Sequence, residues 1–273
     1  MKNAISVDVE DWFCVYNFEN TISKDSWQNL EYRAEINTTK VLDIFDKNSV
    51  KGTFFVLGWI AERSPGLILE IEKRGHEIGL HTYSHSLITQ LDESLFTEEI
   101  EKGLNVIYKS GIKQQILGFR APSFTITKKT LWALDILKKY NFKYDSSVFP
   151  LAFHPDYGIA DAPLSSYKIN ENMYEVPLTV AKKFGKNIPC SGGGYFRLYP
   201  YSFTKYLLKS VNKENRPVIF YIHPWEIDTK QPRVKLPVIK RFRHYNNIKK
   251  TETRLNKLLK DFNFTTIKDL LKL

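Results

Sequence analysis

Residues 5–13 read ISVDVEDWF. A β-branched apolar run ends in three carboxylates, Asp8, Glu10 and Asp11, and two aromatics follow them. The run has the composition of a buried strand, so the acids fall where that strand ends. Like charges this close repel, and each resists leaving water unless a cation or a shared proton neutralises it. The cluster asks for something positive.

Outward from this stretch one rhythm repeats. Apolar runs such as GTFFVLG (52–58), HEIGL (76–80) and QILGF (115–119) alternate with helix-like patterns, TKVLDIFDKNSV (39–50), GLILEIEKRG (66–75) and ESLFTEEIEKGLNVIYKSG (93–111). The alternation continues through a helix in TKKTLWALDILKKY (127–140), a strand in FKYDSSVF (142–149), a helix after Pro200 and a strand in PVIFYI (217–222). It predicts repeated βα units, hence an α/β fold with a largely parallel sheet. Residues 150–190 break the rhythm and read as a long loop or small hairpin insertion, and SGGGYF (191–196) as a tight turn. Leu255, Leu258, Leu259 and Phe262 fall at helical spacing between basic residues, which predicts an amphipathic helix packed on the body. No repeat or low-complexity stretch divides the chain, so residues 1–273 are expected to form a single domain, with 230–273 as a basic C-terminal extension packed on it.

At 273 residues, 42% of them hydrophobic, the chain can bury a sizeable core. No apolar stretch is long enough to span a bilayer, and MKNAISVDVEDWF lacks the apolar core of a signal peptide; the expectation is a soluble, cytoplasmic protein. Two cysteines, Cys14 and Cys190, exclude a disulfide framework and read as reduced small hydrophobes. The net charge of +10 is local: residues 230–260 hold eleven Lys or Arg against one acid, Glu252.

Sites in such folds gather at the C-terminal ends of strands, where the loops converge. Four chemistry-bearing motifs occupy such ends: the acidic cluster, HTYSH with His81 and His85, FRAPS with Arg120, and YIHPWE with His223. Histidines four apart aim at one point from a helical or turn-like arc. Two neutral imidazoles and a carboxylate suit zinc or a similar divalent ion and leave positions open for water and substrate. A second acid is then free to act as a base toward water. On a strand, positions 8 and 10 share a face, so Asp8 and Glu10 are the pair that can divide the roles of base and ligand; Asp11, which points away, is the alternative acidic ligand if the strand has already turned. A pair of histidines at this spacing also occurs in plain helix caps and cores, but that reading leaves the acids, Arg120 and His223 unexplained.

At these residues the chain resembles the polysaccharide deacetylases, the NodB-homology carbohydrate esterases. The resemblance runs from about Ser6 to Trp225. DVEDWF, YDSSVFP, SGGGYFR, YIHPWEID and the tail RFRHYNN are similar to the branch found in bacterial exopolysaccharide biosynthesis. It implies a distorted, incomplete (β/α) barrel and a metal-dependent hydrolase that removes N-acetyl groups from an amino sugar, in a polysaccharide or its lipid-linked precursor. Carried over residue by residue, it implies Asp8 as base, Glu10, His81 and His85 as metal ligands, Arg120 as the brace of the base, and His223 as general acid. Asp145 or Glu226 keeps His223 charged, and the sequence leaves that choice open. The first motif departs from the family's adjacent aspartates, and FRAPS lacks its usual glycine, with Phe124 nearby instead.

Tyr195, Trp225 and Ser147 are the expected substrate-binding residues. Aromatic faces stack on sugars, although large aromatics at strand ends also serve as core, the stronger reading for Trp12. Arg197 reads as a structural salt bridge, His76 as structural, His154 as a loop residue and His244 as part of the basic segment. That segment reads either as a solvated face or, through Arg241, Arg243, Lys249 and Lys250, as a contact for an anionic membrane or anionic glycan. No nucleic-acid module accompanies it. Two other functions stay open: a hydrolase of a non-sugar linear or cyclic amide, and a non-catalytic carbohydrate-binding protein.

Overall fold

A computed structural model describes residues 1–152 and 158–273; His154 lies outside the described residues. In chain order the elements are β1 (Lys2–Val9), α1 (Ala34–Lys47), β2 (Thr53–Val56), α2 (Gly58–Arg63), α3 (Pro65–Lys73), β3 (Glu77–Leu80), α4 (Glu93–Lys109), β4 (Gly118–Phe119), α5 (Trp132–Lys139) and β5 (Tyr144–Asp145). They continue as β6 (Tyr167–Asn170), β7 (Met173–Glu175), β8 (Val180–Lys183), β9 (Lys186–Pro189), α6 (Gly193–Leu198), α7 (Tyr201–Lys213), β10 (Ile219–Ile222), α8 (Val238–Tyr245), α9 (Ile248–Asp261), β11 (Asn263–Thr265) and α10 (Ile267–Leu271).

The main sheet runs β10-β1-β2-β3-β4-β5-β7-β6, with β11 also paired to β1. Every pairing is parallel except β6 with β7. Curled on itself and open at one side, it forms an α/β half-barrel, the distorted, incomplete barrel expected above. Strand β1 is buried from Asn3 to Val9, as a central parallel strand covered on both faces must be. Its alternation sends Ile5, Val7 and Val9 to the helices and puts Ala4 with Phe55 and Tyr144 on the inner side. Ser6 and Asp8 follow Ala4 at the same period of two, so the first acid points into the barrel.

The helices pack through single faces. Helix α4 buries Phe96, Ile100, Val106 and Ile107 and is capped by Asp92, whose carboxylate accepts from the Leu95 amide at 2.8 Å. Truncating a fully buried ring such as Phe96 would cost about 3–5 kcal/mol. The barrel wall needs glycine at Gly118, where a Cβ would stand 2.1 Å from the Tyr144 ring.

Residues 158–190 hold more regular structure than their composition suggests. Strands β6 and β7 extend the main sheet, and β8 and β9 form a separate hairpin. SGGGYF is not merely a turn. Gly192 has φ 138 and sits so close to the Tyr221 carbonyl that a Cβ would meet it at 1.8 Å, and α6 starts at the next residue. Gly192 and Gly193 bring α6 against β10, and Gly194 faces the cavity described below.

Candidate active site

The end of β1, the loop after β3, the residue after β4 and the residue after β10 converge on one cavity of about 570 Å³. Asp8, Glu10, His85, Phe124, Tyr195, Tyr221, His223 and Trp225 line it. On its floor, Glu10 Oε1 lies 3.1 Å from His81 Nε2 and 3.0 Å from His85 Nε2, and one ligand atom from each residue falls within 4.8 Å of the other two. All three side chains are buried. The histidines reach this point from a sharp turn, not a helix: Thr82 and His85 have φ 59 and 58, and Glu99 on α4 clamps the turn by accepting from the Tyr83 and Ser84 amides.

The donor set fits a cation. His81 Nδ1 is 2.7 Å from the Arg120 carbonyl, which can only accept, so Nδ1 carries the hydrogen. In the neutral ring Nε2 then presents a lone pair to a carboxylate oxygen, an arrangement that needs a positive charge between them. Burial pushes the Glu10 carboxyl up, but the charges of His85 and His223 and the hydrogen bonds of His81 and His85 outweigh it and hold Glu10 well below the usual range. Burial moves the His85 imidazole down, toward the neutral form a metal requires.

Asp11 does something else. Its Oδ1 accepts from the Trp12 amide at 2.7 Å, and its Oδ2 accepts from the amides of Arg33 and Ala34 at 2.6 and 2.8 Å, which caps α1. Burial raises its carboxyl to about 6 despite those bonds. Although β1 has ended at Val9, the alternative ligand spends both carboxylate oxygens on backbone amides and not on the histidines.

Two buried arginines flank the cluster. Arg120, fully buried, donates Nη1 to Asp8 Oδ1 at 2.6 Å and to Ser6 Oγ at 2.7 Å, while Nε and Nη2 reach the Ser146 carbonyl and hydroxyl. Across the cavity His223 Nε2 stands 3.9 Å from both Asp8 Oδ2 and Glu10 Oε1. Glu226 Oε1 holds His223 Nδ1 at 2.7 Å, and Arg197 Nε holds Glu226 Oε2 at 2.6 Å. Burial disfavours the His223 imidazolium, yet Glu10, Glu226 and Asp8 together raise its pKa to about 9. Burial pushes Glu226 up, and Arg197 with His223 overcomes that and brings it to about 2. Of the two acids that sequence left open, Glu226 and not Asp145 is the one bonded to His223, and with Glu10 and Asp8 it favours the charged ring. Asp145, next to the inner-side Tyr144 on β5, is fully buried on the opposite face of the strand beside Glu175 and accepts from Ser147 Oγ at 2.5 Å.

Two expectations change in the structure, for Ser147 and His244, while Trp12 keeps its stronger reading. Ser147 lies fully buried, donating to Asp145 and accepting from the Ala121 amide at 2.7 Å, and offers no surface to a substrate. Trp12 is core, its indole N–H donating to the Glu31 carbonyl. His244, grouped by sequence with solvated cations, is fully buried, stacked on Trp225 at 4.4 Å. Burial, with Arg197 adding to it, brings His244 down to about 3, so it stays neutral. Tyr195 and Trp225 do line the cavity, as do Tyr16 and Asn17, which no motif announced. His76 is structural, accepting from the Gly52 amide at 3.2 Å.

Residues 21–144 match the polysaccharide deacetylase family, and residues 146–272 match a domain of unknown function (DUF3473). The chain is 37% identical over 84 residues to a peptidoglycan-N-acetylglucosamine deacetylase of Bacillus cereus, covering 31% of this chain and 29% of that one. It is 36% identical over 85 residues to the peptidoglycan-N-acetylmuramic acid deacetylase PdaA of Bacillus subtilis, covering 31% and 32%. The match spans about three tenths of those relatives. Among solved structures, a putative polysaccharide deacetylase from Mycobacterium smegmatis superposes with a TM-score of 0.58 at 18% identity, covering 99% of this chain and 90% of that one. A CE4 family pseudoenzyme from Bacillus anthracis reaches 0.53 at 14% identity, covering 99% and 65%. Both share the fold. Asp8 and Glu10 precede the first matched segment and His223 lies in the second, so the cavity draws on residues outside the polysaccharide deacetylase match.

Proposed function

We propose that the chain is a metal-dependent hydrolase that removes N-acetyl groups from an amino sugar. The observation that carries this reading is the convergence, in one cavity, of a Glu10–His81–His85 cluster, a braced carboxylate and a charged histidine. Relatives named as peptidoglycan deacetylases support the substrate class. Residues 1–273 act as one catalytic unit in this reading, which the pairing of β10 and β11 with β1 supports.

Glu10, His81 and His85 would hold a divalent ion, zinc by its preference for this N,N,O set, and the ion supplies Lewis-acid polarisation of the acetyl carbonyl and of the attacking water. Asp8 takes the proton of that water, with Arg120, whose Nη1 is also held by Ser6 Oγ, fixing its Oδ1 side so that Oδ2 faces the cavity. His223, held as imidazolium by Glu10, Glu226 and Asp8, gives a proton to the departing amine. Tyr195 and Trp225 flank the sugar.

The glycan belongs, in this proposal, to exopolysaccharide or surface-glycan assembly, as a polymer or a lipid-linked precursor. The same reading puts the protein in the cytoplasm, peripheral to the inner membrane surface; the basic residues of 230–260 support a contact with an anionic membrane or anionic glycan.

The test is metal content by elemental analysis together with acetate release from an N-acetylglucosamine oligomer, for wild type and for His81→Ala with His85→Ala. Near-stoichiometric metal and acetate release, both lost in the double variant, is the expected result. Metal without acetate would move the search to other glycans or to non-sugar amides, and no metal after incubation with zinc would overturn the reading.

A further inference from the structure

Helix α8 (VIKRFRHY, 238–245) is inside out for a surface helix. Val238, Ile239 and Phe242 are 74%, 68% and 55% exposed, whereas His244 is fully buried. At roughly 100° per residue those three side chains share one outward arc, opposite His244. A helix on a body facing only water turns its apolar arc inward. This one presents its apolar arc to solvent and buries an imidazole.

The flanks of the arc are cationic. Lys240, Arg241 and Arg243 lie on the same helix and Lys235 just before it, and among the described residues no acidic side chain pairs with any of them. An apolar arc bordered by unneutralised cations is the pattern of a helix lying in the headgroup region of an anionic bilayer. A soluble anionic glycan would use the cations but would leave the three apolar side chains without a partner.

Helix α8 is also fixed relative to the cavity. His244 stacks on Trp225, Trp225 stacks on His223 at 5.2 Å, and the His244 carbonyl accepts from Arg197. Lys240, Phe242 and Arg243 form part of the cavity wall. A surface that seats α8 therefore meets the mouth of the cavity.

We propose that α8 is an interfacial helix that inserts Val238, Ile239 and Phe242 into an anionic membrane and so presents the cavity to sugars held at that surface. The proposal deepens the deacetylase reading and rests on it for the nature of the substrate. The probes are vesicles of phosphatidylcholine alone and of phosphatidylcholine with about one third phosphatidylglycerol, with polygalacturonate as a soluble polyanion. The protein is expected to co-sediment with the anionic vesicles only. Val238→Ser with Ile239→Ser, neither of which lines the catalytic cavity, should lower that partition roughly tenfold or more, with the melting temperature and acetate release from a soluble oligomer unchanged. The Ile239→Trp variant should shift its emission to the blue on anionic vesicles relative to wild type. Vesicle binding that the double serine variant leaves intact, an unshifted emission spectrum of the Ile239→Trp variant, or retention on polygalacturonate without vesicle binding would each overturn the proposal. Vesicle binding by a protein that takes up no metal and releases no acetate would sink the deacetylase reading alone, and acetate release without vesicle binding would sink this one alone.

Discussion

Two buried arginines, one on each side of the cavity, show how the same ion pair is put to different use. Arg120 and Arg197 are both nearly inaccessible, and each grips a carboxylate at 2.6 Å. The partner of Arg120 is Asp8 itself, which lines the cavity, whereas the partner of Arg197 is Glu226, which acts on the cavity through His223. The first arginine holds a proposed reacting group. The second holds a group that helps set the charge of one. Arg197 also donates Nη1 to the His244 and Asn246 carbonyls, so it ties α8 to the site. The comparison teaches that a buried ion pair here is a device of orientation, since a buried pair gives little net stability over an apolar replacement while breaking one is costly.

The largest effects should fall on the direct side. Asp8→Asn keeps shape and removes the base, so acetate release should drop by about 10²–10⁴ while metal content stays at the wild-type level. If elemental analysis showed metal lost along with turnover, Asp8 would be a ligand and not a base. Arg120→Met should leave Asp8 as an unpaired buried charge and free the Ser146 contacts, a loss of about 3–5 kcal/mol in urea unfolding accompanied by loss of turnover. Arg197→Met should cost similar stability but leave measurable turnover, because Glu226 still bonds His223. Equal loss of turnover in the two variants would erase the distinction between direct and relayed support.

A smaller effect, in pH rather than in rate, should mark the relayed side. His223 is raised above its ordinary value, so its imidazolium persists through neutrality and is lost as the pH climbs through about 9. A general acid must be protonated, so the alkaline limb of the acetate-release profile should report this loss. Glu226→Gln keeps a hydrogen bond to the ring and removes the charge, and it should move that limb toward neutrality by about a unit or more, with the acidic limb unmoved. An alkaline limb that stays in place would transfer the acid role to another group.

The direct side is legible in the sequence and the relayed side is not, for physical reasons. The alternation of β1 places Ala4, Ser6 and Asp8 on one face whatever the rest of the chain does, and His81, His85 and Arg120 sit within a few residues of strand ends. Strand periodicity and motif spacing are local, so they survive in a one-dimensional reading. The choice between Asp145 and Glu226 is not local. Both acids are near strand ends, and what separates them is that Asp145 lies on the other face of β5, beside Glu175 and bonded to Ser147. The burial of His244 is hidden because its neighbours Arg241 and Arg243 are exposed, and the capping role of Asp11 because its partners at 33 and 34 lie beyond the range of any motif.

Ser147 offers the finest test of where the cavity ends and its supports begin. Its place at a strand end suggests contact with substrate, yet its hydroxyl is spent between Asp145 and the amide of Ala121, the residue after Arg120. Its truncation to Ala deletes one neutral donor and leaves the Ala121 amide without its partner, a cost of about 1–3 kcal/mol for a buried group left unsatisfied. The KM for an N-acetylated oligomer should stay at the wild-type value, because no Ser147 atom faces the cavity. A rise in KM at unchanged stability would return Ser147 to the substrate, and would mean that the cavity wall between Arg120 and Asp145 opens when the sugar binds.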